Sequence, residues 1–218
     1  MIRSKYTHLQ LLKKLCRYSS TSKWKNLIDS VKGKAPPIRQ IGDPVLRAQA
    51  KPVELPYLLT PEFKQLTELM IHAMRSKNGV GIAAPQIGVS LQVIAVEFTG
   101  FHLNKAIEKY GSRGVRKMEM SLYPLQIFVN PKLTVTNHAT VAFKEGCLSM
   151  ENYTAMVPRA KEVQIEARNL KGERVEFKVH GYTARIFQHE VDHLTGNLYI
   201  DSMLYKSLVN EKWRDHKS

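Results

Sequence analysis

The sequence is poor in cysteine, in long apolar runs and, over its first fifth, in acidic residues. Cys16 and Cys147 are the two cysteines among 218 residues, too few for the disulfide framework of a small secreted domain. No uninterrupted apolar run approaches the roughly 18 to 20 residues that a membrane-spanning helix requires. With 43% hydrophobic and 24% charged residues, the composition is typical of a globular chain. We therefore expect a reduced protein without membrane insertion.

The net charge of +14 is concentrated near the N-terminus. Residues 1–42 hold ten Lys or Arg and one acidic residue, Asp29, whereas residues 43–218 hold 23 basic and 18 acidic residues. The N-terminal segment is also rich in hydroxyl groups and has apolar residues at helical spacing, a pattern typical of a mitochondrial targeting sequence. A basic tail on a protein that is not imported is the alternative. We expect residues 1–38 to be a targeting segment with a flexible lead-in, and the mitochondrial matrix to be the destination.

The pattern after residue 38 predicts a single α+β domain in which helices pack on antiparallel sheets. Thr60 and Pro61 begin a predicted helix over 61–77, and a second helix is expected over 181–195 with Gly196 as its stop. Predicted strands cover 91–98, 125–129, 140–143, 163–167 and 175–179. Residues 99–124 are polar and basic, and we expect a solvated surface loop there, with a specific contact to an anion as the alternative. A short helix is expected after Asp201, in a tail over 204–218.

His189, Glu190 and His193 form an HExxH motif inside the second predicted helix. Positions i and i+4 of a helix share one face, so two imidazoles can bind one ion while Glu190 lies beside it as a proton acceptor. A surface helix with two unrelated histidines is the alternative, but apolar neighbours such as Ile186 and Leu194 indicate a buried helix. A catalytic ion needs a third protein ligand, and the HExxHxxGxxH extension fails because Tyr199 stands at its last position.

Two upstream segments supply candidates for the rest of the site. Cys147, in Glu145-Gly146-Cys147-Leu148-Ser149, is the strongest candidate for the third ligand, because a thiolate with two imidazoles suits a transition metal; a small buried apolar role is the alternative for a lone cysteine. Gly79 to Gln86 is a glycine-rich turn in which Gln86 offers an amide N–H to a developing oxyanion. By itself such a turn is more often a helix cap.

Taken together, Gly79 to Gln86, Glu145 to Ser149 and Gln188 to His193 resemble the three signature motifs of the peptide deformylases, in that family's order. The resemblance covers about residues 39–203, which we take as the catalytic domain. It implies β-sheets, antiparallel or mixed, wrapped around the helix that carries HExxH. It also implies that Cys147, His189 and His193 bind one divalent transition metal ion, iron or zinc, with cobalt or nickel as alternatives.

The implied reaction is hydrolysis of the N-formyl group from the initiator methionine of nascent chains, with release of formate. Glu190 is then the acid and base, and the oxyanion is bound by Gln86 and the backbone N–H of Leu148. We expect substrate contacts from seven residues: Val80, Gly81, Gly146, Arg159, Tyr182, Arg185 and Ile186. Arg185 stands where many bacterial relatives have an apolar residue, which leaves the preference of the methionine pocket open. Glu145 and Asp192 either orient a histidine or Arg159, or form structural ion pairs.

The expected partners are N-formylmethionyl nascent peptides, with the mitochondrial ribosome as a further candidate and no DNA. Two other functions share parts of the pattern. An HExxH endopeptidase would use the same helix and base, but Tyr199 disfavours it. A basic RNA-binding or ribosome-binding module with a vestigial metal site is disfavoured by the even charge balance after residue 42 and by the lack of interleaved aromatic and basic residues.

Overall fold

The computed structural model describes residues 35–216, which form three α-helices and six β-strands. The helices are α1 (Pro61–Ser76), α2 (Gly100–Lys117) and α3 (Gly181–Leu194). The strands are β1 (Gly81–Ala83), β2 (Val93–Phe98), β3 (Tyr123–Cys147), β4 (Met150–Arg168), β5 (Arg174–His180) and β6 (Val209–Asn210). The predicted targeting segment falls almost entirely on residues 1–34 and so lies outside the described residues.

All strand pairs among these six strands are antiparallel, in the order β1-β2-β3-β4-β5, with β6 on β4. The hairpin of β3 and β4 occupies the middle of the sheet. The register between these two strands shifts at several points, among them between Val135 and Asn137 and between Gly146 and Cys147. Such irregularities bend and twist a hairpin. The bent hairpin curves the sheet around α3, and the predicted α+β class is confirmed.

Helices α1 and α3 form where the capping signals predict them. The Thr60 side chain accepts a hydrogen bond from the Phe63 N–H at 3.2 Å, and Pro61 is the first helical residue, so the orphan donors of the first turn are partly satisfied. Helix α3 ends at Leu194, and Gly196 follows with φ of 76°. A side chain at Gly196 would also meet the carbonyl oxygen of Arg47 at 2.5 Å. Glycine there lets the chain turn sharply out of the helix.

The core has two main apolar clusters, one on each side of the short strand β1. The first packs α1 against β1, β2 and the preceding turns, with Phe63, Leu66 and Met70 fully buried. The second packs α3 against β2 to β5 through a cluster of aromatic rings around Phe187, whose ring centroid lies 5.2 Å from that of Phe128. Helix α3 is therefore held on nearly all sides, which fixes the directions of its side chains.

The prediction of a loop over 99–124 is wrong, because residues 100–117 are helical. Helix α2 bends at Gly111, where φ is 68° and ψ is 166°, and its buried side chains are only Ala106 and Val115. After Asp201, the expected short helix is a single 3-10 turn at Trp213–His216, preceded by β6. None of the helices within residues 35–216 is long and apolar enough to cross a membrane.

Candidate metal centre and active site

Cys147 is the last residue of β3, at the point where the chain makes a tight turn through Leu148 and Ser149 into β4. The turn carries its thiol toward helix α3, and Cys147 Sγ lies 3.3 Å from His193 Nε2. The potential ligand atoms of Cys147, His189 and His193 all lie within 4.8 Å of one another. Three side chains from distant parts of the sequence thus converge on one point.

The two histidines lie one turn apart on α3, with ring centroids 5.1 Å apart. His193 is buried, and its Nδ1 has no hydrogen-bond partner within the described chain. The ring of Tyr199 stacks against His189 at a centroid distance of 6.2 Å, and its hydroxyl donates to the carbonyl of Tyr153. Tyr199, which occupies the last position of the failed HExxHxxGxxH extension, is therefore a wall of the site.

Glu145 orients His189 and is the centre of a buried ion-pair network. Its Oε2 lies 3.1 Å from His189 Nδ1, and its carboxylate accepts hydrogen bonds from Arg159 and Arg185. Burial alone raises the pKa of Glu145, but His189 and Arg159 lower it to about 2. Asp192 pairs with Arg159 on the other side. A fixed carboxylate on Nδ1 leaves Nε2 of His189 free to bind an ion.

The electrostatics of the three side chains suit a metal. Burial alone raises the pKa of the Cys147 thiol, yet His193 and His189 hold it well below its usual range. A thiolate with two imidazole nitrogens is a ligand set that binds zinc, iron and similar transition metals. The residues present therefore fit a divalent transition metal ion, and two of them, Cys147 and His189, also line the adjoining cavity.

Glu190 is almost fully buried beside this centre, and one of its carboxylate oxygens, Oε2, has no hydrogen-bond partner within residues 35–216. Burial raises the pKa of Glu190 to about 7, which is the range expected of a group that must both take and give a proton at neutral pH. Gly81 makes room for this carboxylate, because a Cβ built there would lie 2.4 Å from Glu190 Oε1. The missing side chain of Gly81 is thus a feature of the site that the sequence pattern did not reveal.

Gln86 lies at the opposite side of the thiol. Its Oε1 accepts from the Ala83 N–H at 2.8 Å, which orients the amide so that Nε2 points at Cys147 Sγ, 3.5 Å away, and at Ser149 Oγ, 3.3 Å away. Leu148 lines the same space from the turn after Cys147. Ser149 is fully buried, and the sequence analysis assigned it no role. Its position two residues after Cys147 is the one sequence signal that could have indicated its hydrogen bond with Gln86.

A cavity of about 360 Å³ opens in front of these groups. Six of the seven predicted substrate contacts line it: Val80, Gly81, Gly146, Tyr182, Arg185 and Ile186. Arg185 donates to Glu145 and to the carbonyls of Val157 and Val141, and its guanidinium lies over the ring of Phe143. Its charge is therefore already satisfied by protein groups.

The prediction that Arg159 contacts substrate needs correction. Arg159 does not line this cavity, and its guanidinium forms ion pairs with Glu145 and Asp192 in the buried network. Five lining residues were missed by the sequence analysis: Lys109 and Tyr110 from α2, Lys144 and Thr154 from β3 and β4, and Asn78 between α1 and β1. The first two were missed because their segment was predicted to be a solvated loop.

The fold and site define a class of protein, an α+β hydrolase whose buried HExxH helix and strand-end cysteine can hold a metal ion. The comparisons agree with this. The profile of the family described as "Polypeptide deformylase" matches residues 35–207. The mitochondrial peptide deformylase of Homo sapiens is 41% identical over 196 residues, covering 88% of this chain and 79% of the human protein.

Two further relatives extend the likeness to bacteria. A peptide deformylase of Thermus thermophilus is 38% identical over 174 residues, covering 77% of this chain and 81% of its own. The crystal structure of a class I type b peptide deformylase from Acinetobacter baumannii with Met-Ala-Ser bound superposes with a TM-score of 0.67 at 32% identity, covering 78% of this chain and 98% of that one.

The chain belongs to the peptide deformylase family. It is a hydrolase that removes the N-formyl group from nascent polypeptides, and the endopeptidase and RNA-binding alternatives are not favoured. Members of this family are metalloenzymes, and the group formed by Cys147, His189 and His193 is where this chain can bind its ion.

Proposed function

We propose that deformylation takes place at the centre formed by Cys147, His189 and His193, with one Fe²⁺ or Zn²⁺ ion bound there and Co²⁺ or Ni²⁺ as alternatives. The observation that carries the proposal is the convergence of the three ligand atoms within 4.8 Å beside a buried carboxylate that faces a cavity. When bound, such an ion acidifies water and polarises a carbonyl oxygen. The remaining chemistry belongs to side chains of this protein.

Glu190 accepts a proton from the water that attacks the formyl carbon and then passes it to the departing amine. It is buried beside the three ligands, and its Oε2 has no hydrogen-bond partner within residues 35–216, so this oxygen is available for both transfers. The Gln86 amide, held by the Ala83 N–H, and the backbone N–H of Leu148 donate to the carbonyl oxygen as negative charge collects there. One oriented donor of this kind is commonly worth about 3 kcal/mol of transition-state stabilisation.

The peptide is held as an added strand beside Val80 and Gly81. Strand β1 is the edge of the sheet, and an edge offers main-chain groups that pair with any sequence. Gly146 faces it across the cavity, and the methionine side chain enters between Tyr182 and Ile186. The relative bound to Met-Ala-Ser supports a peptide with N-terminal methionine as the ligand of this cavity. Arg185, neutralised by Glu145, closes the pocket without offering a free charge.

The basic N-terminal segment directs the protein to the mitochondrial matrix, where formylmethionyl chains made by mitochondrial ribosomes are its substrates. The likeness to the human protein, which is named as mitochondrial, supports this location. The family match at residues 35–207 supports a catalytic domain over 39–203, and we assign residues 1–38 to targeting and 204–218 to a tail.

Formate release from a formyl-Met-Ala-Ser peptide, paired with elemental analysis of anaerobically purified protein, tests the proposal. The wild type should release formate and carry about one metal ion per chain. Glu190→Gln should keep the metal and lose activity by at least about a hundredfold, whereas Cys147→Ala should lose both. Full activity of either variant would overturn the assigned roles. Cleavage of an internal bond in a non-formylated peptide would favour the endopeptidase instead.

A further inference from the structure

Helix α2 contributes two residues to the active-site cavity. Lys109 and Tyr110 line it although α2 supplies none of the metal-centre side chains. Gly111 follows them directly and bends the helix, and Gly114 packs so closely that an added Cβ would meet Tyr110 Cβ at 2.7 Å. The bend and the close packing together hold the end of the first helical segment against the mouth of the cavity.

Tyr110 adjoins the methionine pocket. Tyr110 and Tyr182 both line the cavity, and burial, with a smaller effect from Tyr110, raises the pKa of Tyr182 to about 12. Tyr182 forms a wall of the pocket proposed for the methionine side chain. Lys109, the residue before Tyr110 on an exposed part of the helix, therefore stands at the rim just outside that pocket.

The rim carries more positive than negative charge. Lys144, from β3, also lines the cavity, and its ammonium pairs with Glu211 at 2.8 Å. The pKa of Glu211 is lowered by Lys144 and Thr154, with a smaller effect from Lys109. Glu211 pairs with Lys144 and accepts a hydrogen bond from Thr154. The Lys109 ammonium is outside that pair and lies over the ring of Tyr110, 5.2 Å from its centroid.

An extended peptide would bring one particular side chain to this rim. Alternate side chains of a strand point to the same side, and two residues advance the chain by roughly 7 Å. With the methionine side chain between Tyr182 and Ile186, the side chain of the third residue projects on the same side of the peptide. Lys109 and Lys144 are the two lysines that line the cavity, and we take them as the charges that this side chain meets.

We propose that helix α2 selects substrates by the charge of the third residue, with Lys109 at the rim favouring an acidic side chain over a basic one. The inference rests on the proposed mode of peptide binding and names a substrate preference within it. The interaction forms equally in the bound substrate and in the transition state, so it should change KM more than kcat.

The test compares kcat/KM for three peptide amides: formyl-Met-Ala-Glu, formyl-Met-Ala-Gln and formyl-Met-Ala-Lys. The wild type should prefer Glu over Lys by about two- to tenfold, the range expected of one exposed charge contact that changes sign. Lys109→Gln should bring the ratio near one, and Lys109→Glu should invert it. The preference should shrink at high salt, where exposed charges are screened.

Lys105→Glu is the matched control, because it makes the same change in net charge on the same helix. Its ammonium lies over the ring of Phe101, 4.8 Å from the centroid, and it does not line the cavity. It should keep the wild-type ratio. Equal ratios in wild type and Lys109→Glu, or equal shifts in both helix variants, would overturn the inference. Release of formate from the neutral Gln peptide tests the proposed function separately, since it does not depend on the charge preference.

Discussion

At the scale of single residues, Glu190 is the clearest case of a side chain whose position supports catalysis and lowers the stability of the folded protein. A buried carboxylate with an unpartnered oxygen is unfavourable in its charged form, and burial raises its pKa from 4.5 to about 7. Because the folded state holds this proton more tightly than the unfolded state, the fold loses stability as pH rises through that range. The same buried position makes Glu190 the general base of the site.

We predict that Glu190→Gln makes the metal-free protein more stable at pH 8 and leaves it little changed at pH 4.5. The shift from 4.5 to about 7 sets an upper bound of about 3 kcal/mol on the gain. Urea unfolding of both proteins after chelation, at several pH values, measures it. A difference that does not depend on pH, or a less stable variant at pH 8, would contradict the burial argument.

Gly81 yields a second prediction at this scale. A methyl group at this position would lie 2.4 Å from Glu190 Oε1 and 2.8 Å from its Cδ, so the carboxylate must move. We expect Gly81→Ala to bind metal at the wild-type level while losing formate release by about a hundredfold or more, the effect of misplacing a general base. Gly100→Ala is the control, since its added methyl meets no atom within 4 Å and activity should persist. Wild-type activity in Gly81→Ala would show that Glu190 needs no such room.

Some of the site residues can be predicted from the sequence alone, and others cannot. Histidines 189 and 193 follow from helical periodicity alone, because an i, i+4 pair shares a face wherever the helix lies. Cys147 needs more, since its approach to His193 depends on the bend of a long hairpin that no local pattern encodes. The space left by Gly81, and the two hydrogen bonds that aim Gln86, are properties of packing and could not be read from spacing.

At the scale of elements, α2 shows where periodicity fails. Its two buried side chains, Ala106 and Val115, give it a thin apolar stripe, and Gly111 and Gly114 interrupt it. The pattern of such a segment predicts a loop, because its glycines lower helix propensity and its apolar residues are few. In the folded protein, Leu103 packs against the core cluster of α3, and the His102 ring lies 5.6 Å from that of Phe98. In contrast, α1 begins after the Thr60 cap and α3 ends just before Gly196, and both helices are predicted to within about two residues.

The bend in α2 should be essential for the charge preference. Gly111 has φ of 68° and ψ of 166°, a region open almost only to glycine, where another residue costs about 1–3 kcal/mol. We predict that Gly111→Ala shifts Lys109 and reduces the ratio of kcat/KM between the Glu and Lys peptides toward one. Gly172→Ala provides the control, because this glycine also has positive φ, 80°, but lies in the turn before β5. An unchanged ratio in Gly111→Ala would show that the bend does not position Lys109.

At the scale of the whole molecule, the α+β class and the order of α1, β2 to β5 and α3 could be predicted, whereas α2, β1, β6 and the curvature of the sheet could not. The strands predicted at 125–129 and 140–143 are parts of one strand, β3, and its register shifts against β4. Those shifts depend on which side chains find space in the core, a non-local property. They bring the end of β3 to the middle of α3, and the site exists because of them.

The central claim concerns the metal: one sulfur and two imidazole nitrogens from Cys147, His189 and His193 hold it. X-ray absorption at the metal edge of the anaerobically purified, active protein tests this most directly. We predict one sulfur neighbour at about 2.3 Å and two nitrogen neighbours at about 2.0–2.1 Å if the ion is zinc, with the sulfur signal absent from any metal retained by Cys147→Ala. A wild-type spectrum with only nitrogen and oxygen neighbours would contradict the account.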